Sequence, residues 1–203
     1  LFKSDPSEIN AVKQFVQNTR PQDAGKFHRT IQQAAAQQIL GVSEDGAPTL
    51  GYKLAERLNK IGPDRLETIF GWGREGADTL SRLKQLSAVS SHYDNVLKYA
   101  PSLATEGSST VGKFVAEATS AVVAGAMGFK YIAARMGYNL ARDAGQAVMA
   151  EIVSNPQSFR QFKRGYQLVM EGATTGAKRL IPQGEAELKA ALATASARAL
   201  AAF

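Results

Sequence analysis

The residues of this chain best suited to chemistry are few, and helical spacing gives most of them a plainer role. Arg160, Lys163 and Arg164 alternate with Phe159, Phe162 and Tyr166, a pattern in which cations neutralise phosphates while aromatic faces stack on bases. On a helix, Phe159, Phe162 and Tyr166 fall together at i, i+3 and i+7. The sequence therefore favours a buried aromatic stripe with the basic residues on its solvated side. Lys178 and Arg179 add charge without a recognisable motif. Glu117, within Val115-Ala116-Glu117-Ala118, is the carboxylate in the most apolar surroundings, but one acid is not the pair that glycoside hydrolysis needs. It reads as a polar registry residue between helices. His92 has Tyr93 and Asp94 beside it, yet adjacent helical residues point in different directions, so no base-and-orienter pair forms. His28 has no acidic neighbour in the following turn and is assigned no ligand role. Gly71-Trp72-Gly73-Arg74 lacks the lysine followed by Ser or Thr of a phosphate-binding loop, and Trp72 reads as a packing anchor. Asp143 and Glu151 share a helical face eight residues apart and suit a salt bridge to Arg142 or a neighbouring helix. No catalytic residue, cofactor site or metal site is expected.

Composition narrows the choice further. The chain has 203 residues and a hydrophobic share of 44%, enough to bury one good core or two small ones. It has no cysteine and only two histidines, which rules out a disulfide framework, a thiol nucleophile and a thiolate metal site. The formal charge of +6, from 24 basic and 18 acidic residues, fits weak attraction to polyanions more than a dedicated nucleic-acid surface. Asp5, Pro6 and Glu8 stand where a secretory signal would need a basic and then an apolar stretch. A first residue of Leu1 suggests a processed product or part of something larger.

The elements that would position these residues are all helical. Asp5-Pro6 is a helix start, and Ile9, Val12, Phe15 and Val16 follow at helical spacing to about residue 18. Thr19-Arg20-Pro21 breaks that helix. A second one, with Phe27, Ile31, Ala34, Ala35 and Ile39 on its apolar side, runs to Gly41. Turn residues between 41 and 48 lead into Leu50, Leu54, Leu58 and Ile61, and Gly62-Pro63-Asp64 separates these from Leu66, Ile69 and Phe70. From Arg74 to about Tyr99, Leu80, Leu83, Leu86, Val89, Tyr93, Val96 and Leu97 describe one long amphipathic helix. Asn155-Pro156 divides a helix over 138–153 from the one that Phe159, Phe162 and Tyr166 open. Gly172 and Gly176 are expected to loosen the chain before a helix-rich tail anchored by Leu188, Ala191, Leu192 and Leu200. The expected organisation is a small N-terminal bundle ending in a long helix (1–104), a polar hinge (105–112) and an Ala/Gly-rich packing region with its tail (113–203).

That last region opens with the most distinctive stretch of the chain, Lys113 to Met136, crowded with Ala, Gly, Val and Met. Ala116, Ser120, Ala124 and Gly128 recur every fourth residue, forming one stripe on which another helix backbone can come close. Glu117 interrupts the run of about 20 apolar residues that a membrane-spanning helix needs, so a buried helix is the better reading.

The order of elements from Leu1 to about Thr110 resembles a helical segment near the C-terminal end of very large tailed-bacteriophage proteins. These include internal virion proteins ejected with the genome. The matching features are Leu1-Phe2-Lys3-Ser4-Asp5-Pro6, a helix ending in Ile39-Leu40, and a Gly-rich turn into Leu54 to Ile61. Gly62-Pro63-Asp64-Arg65-Leu66 with Ile69-Phe70-Gly71 follows, and a Leu-rich helix then meets a Ser/Thr/Gly hinge. This chain departs from the family's Asn-Pro-Ser-Gly-Thr type of junction, having Glu106-Gly107-Ser108-Ser109-Thr110 instead. The resemblance implies a non-catalytic component of the virion, assembled by helix packing with other virion subunits or copies of itself. It also implies passage into the host envelope after ejection. Ala116, Ser120, Ala124 and Gly128 would form the assembly face. Two alternatives stand beside this. One is a nucleic-acid-binding module that contacts DNA through Arg160, Lys163 and Arg164. The other is a domain appended to a large phage enzyme, such as a virion RNA polymerase or a peptidoglycan-cleaving protein, whose chemistry lies outside these residues.

Overall fold

Helix boundaries fall where proline, glycine and capping side chains dictate. In the computed structural model, residues 5–41, 50–99, 142–177 and 179–201 are described. They form eight helices and no strand: α1 (Pro6–Thr19), α2 (Pro21–Leu40), α3 (Gly51–Ile61), α4 (Pro63–Phe70), α5 (Gly73–Tyr99), α6 (Arg142–Ser154), α7 (Pro156–Thr175) and α8 (Leu180–Ala201). The chain is thus all-α, with shorter helices first and longer ones after. Asp5 caps α1 in a capping box with Glu8, its carboxylate accepting from the Ser7 amide at 2.8 Å. Asn155 caps α7 by accepting from the Gln157 and Ser158 amides, both at 3.0 Å. Pro6, Pro21, Pro63 and Pro156 each stand in a first turn, where a missing N–H costs nothing.

The helices share one core. It joins Leu54, Leu58, Leu66, Ile69 and Phe70 of the short helices to Leu83 and Leu86 of α5 and to Ile152, Phe162, Tyr166, Leu188 and Leu192 of α6 to α8. α3 and α4 pack along α5, and α6 lies against α2 and α5. An edge-on ring contact between Tyr93 and Tyr166, at 5.9 Å, ties α5 to α7.

Two expectations are corrected here. Gly172 does not loosen the chain: α7 runs through it to Thr175 and ends at Gly176, whose φ of +75° is the left-handed conformation that closes a helix. Gly172 is instead a packing position, where an added Cβ would lie 2.8 Å from Ile181. In α1, Lys13 joins Ile9 on the buried side, while Val12 and Phe15 face outward, 51% and 66% exposed.

Candidate functional site

The basic residues singled out in the sequence come together on α7, but two of the three are engaged within the fold. Lys163 donates to the Gln85 side chain of α5 at 3.2 Å, and Arg164 lies 3.7 Å from the Glu187 carboxylate of α8. Arg160 is exposed. Phe159, Phe162 and Tyr166 are buried, so no aromatic face of this trio is open to a base. The stripe of Ala116, Ser120, Ala124 and Gly128, Glu117 and the 105–112 hinge all lie outside the described residues.

The close helix packing that glycine permits occurs between α7 and α8. A Cβ on Gly165 would lie 2.7 Å from the Gly184 carbonyl, and one on Gly184 would lie 2.6 Å from the Gly165 carbonyl, so the two backbones touch. The buried line of α8, Gly184, Leu188, Ala191, Leu192 and Ala195, repeats at four and three and delivers this contact. Neither Gly165 nor Gly184 stood out in the sequence; the interval of two turns between Gly165 and Gly172 is the signal that could have marked this face of α7.

A second feature escaped the sequence: three cations reach from one helix to the carboxyl end of another, where unpaired carbonyls and the helix dipole favour positive charge. Lys13 of α1 donates to the Thr68 carbonyl and, at 3.4 Å, to that of Ile69 in the last turn of α4. Arg57 of α3 donates to the Ile39 carbonyl at the end of α2, at 3.2 Å. Gly41 leaves room for it, since any Cβ there would collide with the Arg57 guanidinium. Arg82 of α5 donates to the Val153 carbonyl and, at 3.0 Å, to that of Ser154, at the end of α6. Part of the basic excess therefore holds the fold together.

Lys13 also builds the corner around the single tryptophan. Its ammonium sits 5.0 Å from the centre of the Trp72 ring, and the His28 ring packs on Trp72 at 4.7 Å. Burial lowers the Lys13 pKa to about 8; the carbonyls and the indole face resist that shift, because they favour the charged form. His28 Nε2 is sealed from solvent and has no hydrogen-bond partner among the described residues. The Gln32 amide donates to the Trp72 carbonyl at 3.1 Å and fixes the turn into α5. Trp72 is thus the anchor its sequence setting suggested, and His92 lies exposed against Tyr93.

Two open clefts flank this corner. One, of about 460 Å³, is lined by Gln17, Gly25, His28, Trp72, Arg74 and neighbours; the other, of about 340 Å³, by Gln33, Thr79, Glu151, Asn155, Arg198 and neighbours. They share Arg29, Gln32 and Glu75, and the Arg29–Glu75 ion pair, 3.6 Å long, stands between them. Glu151 pairs with Arg198 of α8 at 3.7 Å; burial raises its pKa, and the guanidinium pulls it back. Neither cleft gathers three or more metal-ligating side chains among the described residues, and no described helix is long and apolar enough to cross a membrane.

Among the described residues, Val12 and Phe15 on the flank of α1, with Tyr52 on α3, are the large apolar side chains left exposed. Val12 and Phe15 stand three residues apart on a helix whose other side is packed, and Thr19 continues their line. Searches against family models, curated proteins and solved structures return no match to this chain.

Proposed function

We propose that this chain is a non-catalytic interaction region of a bacteriophage virion protein, of the internal kind ejected with the genome, and that it works by docking helices of other virion subunits or of its own copies. The observation that carries the docking part is the exposed Val12 and Phe15 flank of α1. Large apolar side chains set side by side on an otherwise anchored helix lose unfavourable hydration when a partner covers them. The assignment to a virion rests on the likeness of residues 1–110 to the phage segment. In this reading Ala116, Ser120, Ala124 and Gly128 supply a second docking face, and contact with the host envelope follows ejection. The nucleic-acid reading has less support, because Lys163 and Arg164 already meet Gln85 and Glu187.

Light scattering over a concentration series tests the proposal, with wild type run beside Phe15→Ser and Gly128→Leu. Self-association that Phe15→Ser weakens assigns docking to α1, and association that only Gly128→Leu weakens assigns it to the second face. A wild-type chain that stays monomeric and also fails to bind the remaining proteins of its own particle would sink the proposal.

A further inference from the structure

The corner at Trp72 joins three observations that packing alone does not require. A buried cation and an imidazole both lie against one indole, at 5.0 and 4.7 Å. The imidazole's outer nitrogen, His28 Nε2, is sealed and has no acceptor. The cation at this indole is also the group that binds α1 to the end of α4, through the Thr68 and Ile69 carbonyls.

We infer that the Lys13–Trp72–His28 stack is an acid-sensitive latch, which holds α1 on the α4–α5 corner near neutral pH and loosens it when His28 gains a proton. A protonated His28 would place a second positive charge on the indole that already carries the Lys13 ammonium, and its Nε2–H would have no acceptor to meet. The charge acting on His28 is that of Lys13 on α1, and the cleft that His28 lines also holds its neighbour Arg29 on α2 and Arg74 and Glu75 of α5. Three of these four are cations. The one carboxylate, Glu75, is already paired with Arg29. From α4, the Thr68 and Ile69 carbonyls hold Lys13, and Glu67 lies beside Gly71 at the start of the turn. Burial, and then the Lys13 charge, lower the His28 pKa from its usual value of 6.5.

The sign follows from proton binding. The unfolded or opened chain takes up its proton at a higher pH than the latched form, so stability is complete above pH 6.5 and falls as the pH drops toward the lowered folded value. Each unit between the two values multiplies the opened population about tenfold. Opening frees α1, which bears Val12 and Phe15, so acid would alter the docking surface proposed above. The latch itself stands independently of that reading, because its test involves no partner.

Trp72 is the only tryptophan in the chain, so its fluorescence reports the corner alone. The experiment follows that emission and the amide exchange of α1, corrected for intrinsic pH dependence, between pH 7.5 and 5 in wild type, His28→Gln and His92→Gln. The latch requires an emission change and lost α1 protection in wild type and in His92→Gln, with both responses flat in His28→Gln. A flat wild type, or a response that persists in His28→Gln, overturns it. Should His28→Gln fold poorly, Lys13→Met serves as the second variant, read by Trp72 emission alone because it lacks the latching ammonium: removing the opposing charge moves the His28 transition to higher pH, and an unmoved transition overturns the inference.

Discussion

Lys13 sits between Ile9 and Val16 on the inner side of α1, a position that helical spacing reserves for an apolar residue. It is fully buried and still useful, because its stem packs as a hydrocarbon while its ammonium meets carbonyls that α4 cannot satisfy itself. Lys13→Met keeps the stem and removes the donors. Leaving those carbonyls unpaired should cost about 1–3 kcal/mol in urea unfolding. The same variant isolates a pH effect. Unfolded Lys13 keeps its proton up to 10.5 but the buried one only to about 8, so wild-type stability gains a rising contribution between these values. The difference between wild-type and Lys13→Met urea midpoints should shift in that window, and a constant difference would show that the ammonium is not penalised by burial. Arg82→Gln should likewise cost about 1–3 kcal/mol, and the loss should appear as faster amide exchange at the end of α6.

Helices α7 and α8 pack more closely than any ordinary pair of side-chain-bearing helices could. With Gly165 and Gly184 each set against the other's carbonyl, a methyl group has no room, and neither backbone can yield without the other. Gly184→Ala should therefore destabilise the protein by about 1–3 kcal/mol, as overpacked cores do, even though alanine is the better helix former. Gly25 in the second turn of α2 supplies the contrast, since a Cβ there meets nothing within 4 Å. Gly25→Ala should stabilise by roughly 0.5–1 kcal/mol through propensity alone. Thermal melts of the two variants ought to move in opposite directions; parallel shifts would mean that the α7–α8 contact is looser than its geometry implies.

At the scale of the whole molecule, the helices before and after the 100–141 stretch bury their apolar faces together. α6 lies on α2 and α5, Arg82 holds the end of α6, and Tyr93 meets Tyr166. Residues 1–104 and 113–203, expressed as two chains, should consequently co-elute as one complex in size-exclusion chromatography. Separate elution of two folded fragments would show that the shared core is not needed by either. Placing cations at the carboxyl ends of α2, α4 and α6 also bears on the net charge of +6. Positive side chains committed to carbonyls attract polyanions less than the formal count suggests.

The sequence by itself determined the all-helical class and most helix ends. Those depend on local chemistry: the Asp5 and Asn155 caps, first-turn prolines, and apolar residues repeating at three and four around Leu83 and Leu86. It also placed Phe159, Phe162 and Tyr166 in the core, and Trp72 as an anchor, because their spacing or isolation left them no better role. The tertiary structure alone decided which polar groups were drawn inward. The partners of Lys13 lie 55 and 56 residues away in the chain, and those of Arg82 lie 71 and 72 away, distances over which no local pattern operates. The same is true of α1. Periodicity grouped Val12 and Phe15 with Ile9, but a helix can carry more apolar surface than its neighbours cover, and only the packing of α2 and α4 against it fixed which part stayed open. Gly172 makes the point in reverse: glycine signals a loosened chain when read locally and a tight contact once a second helix is pressed against it.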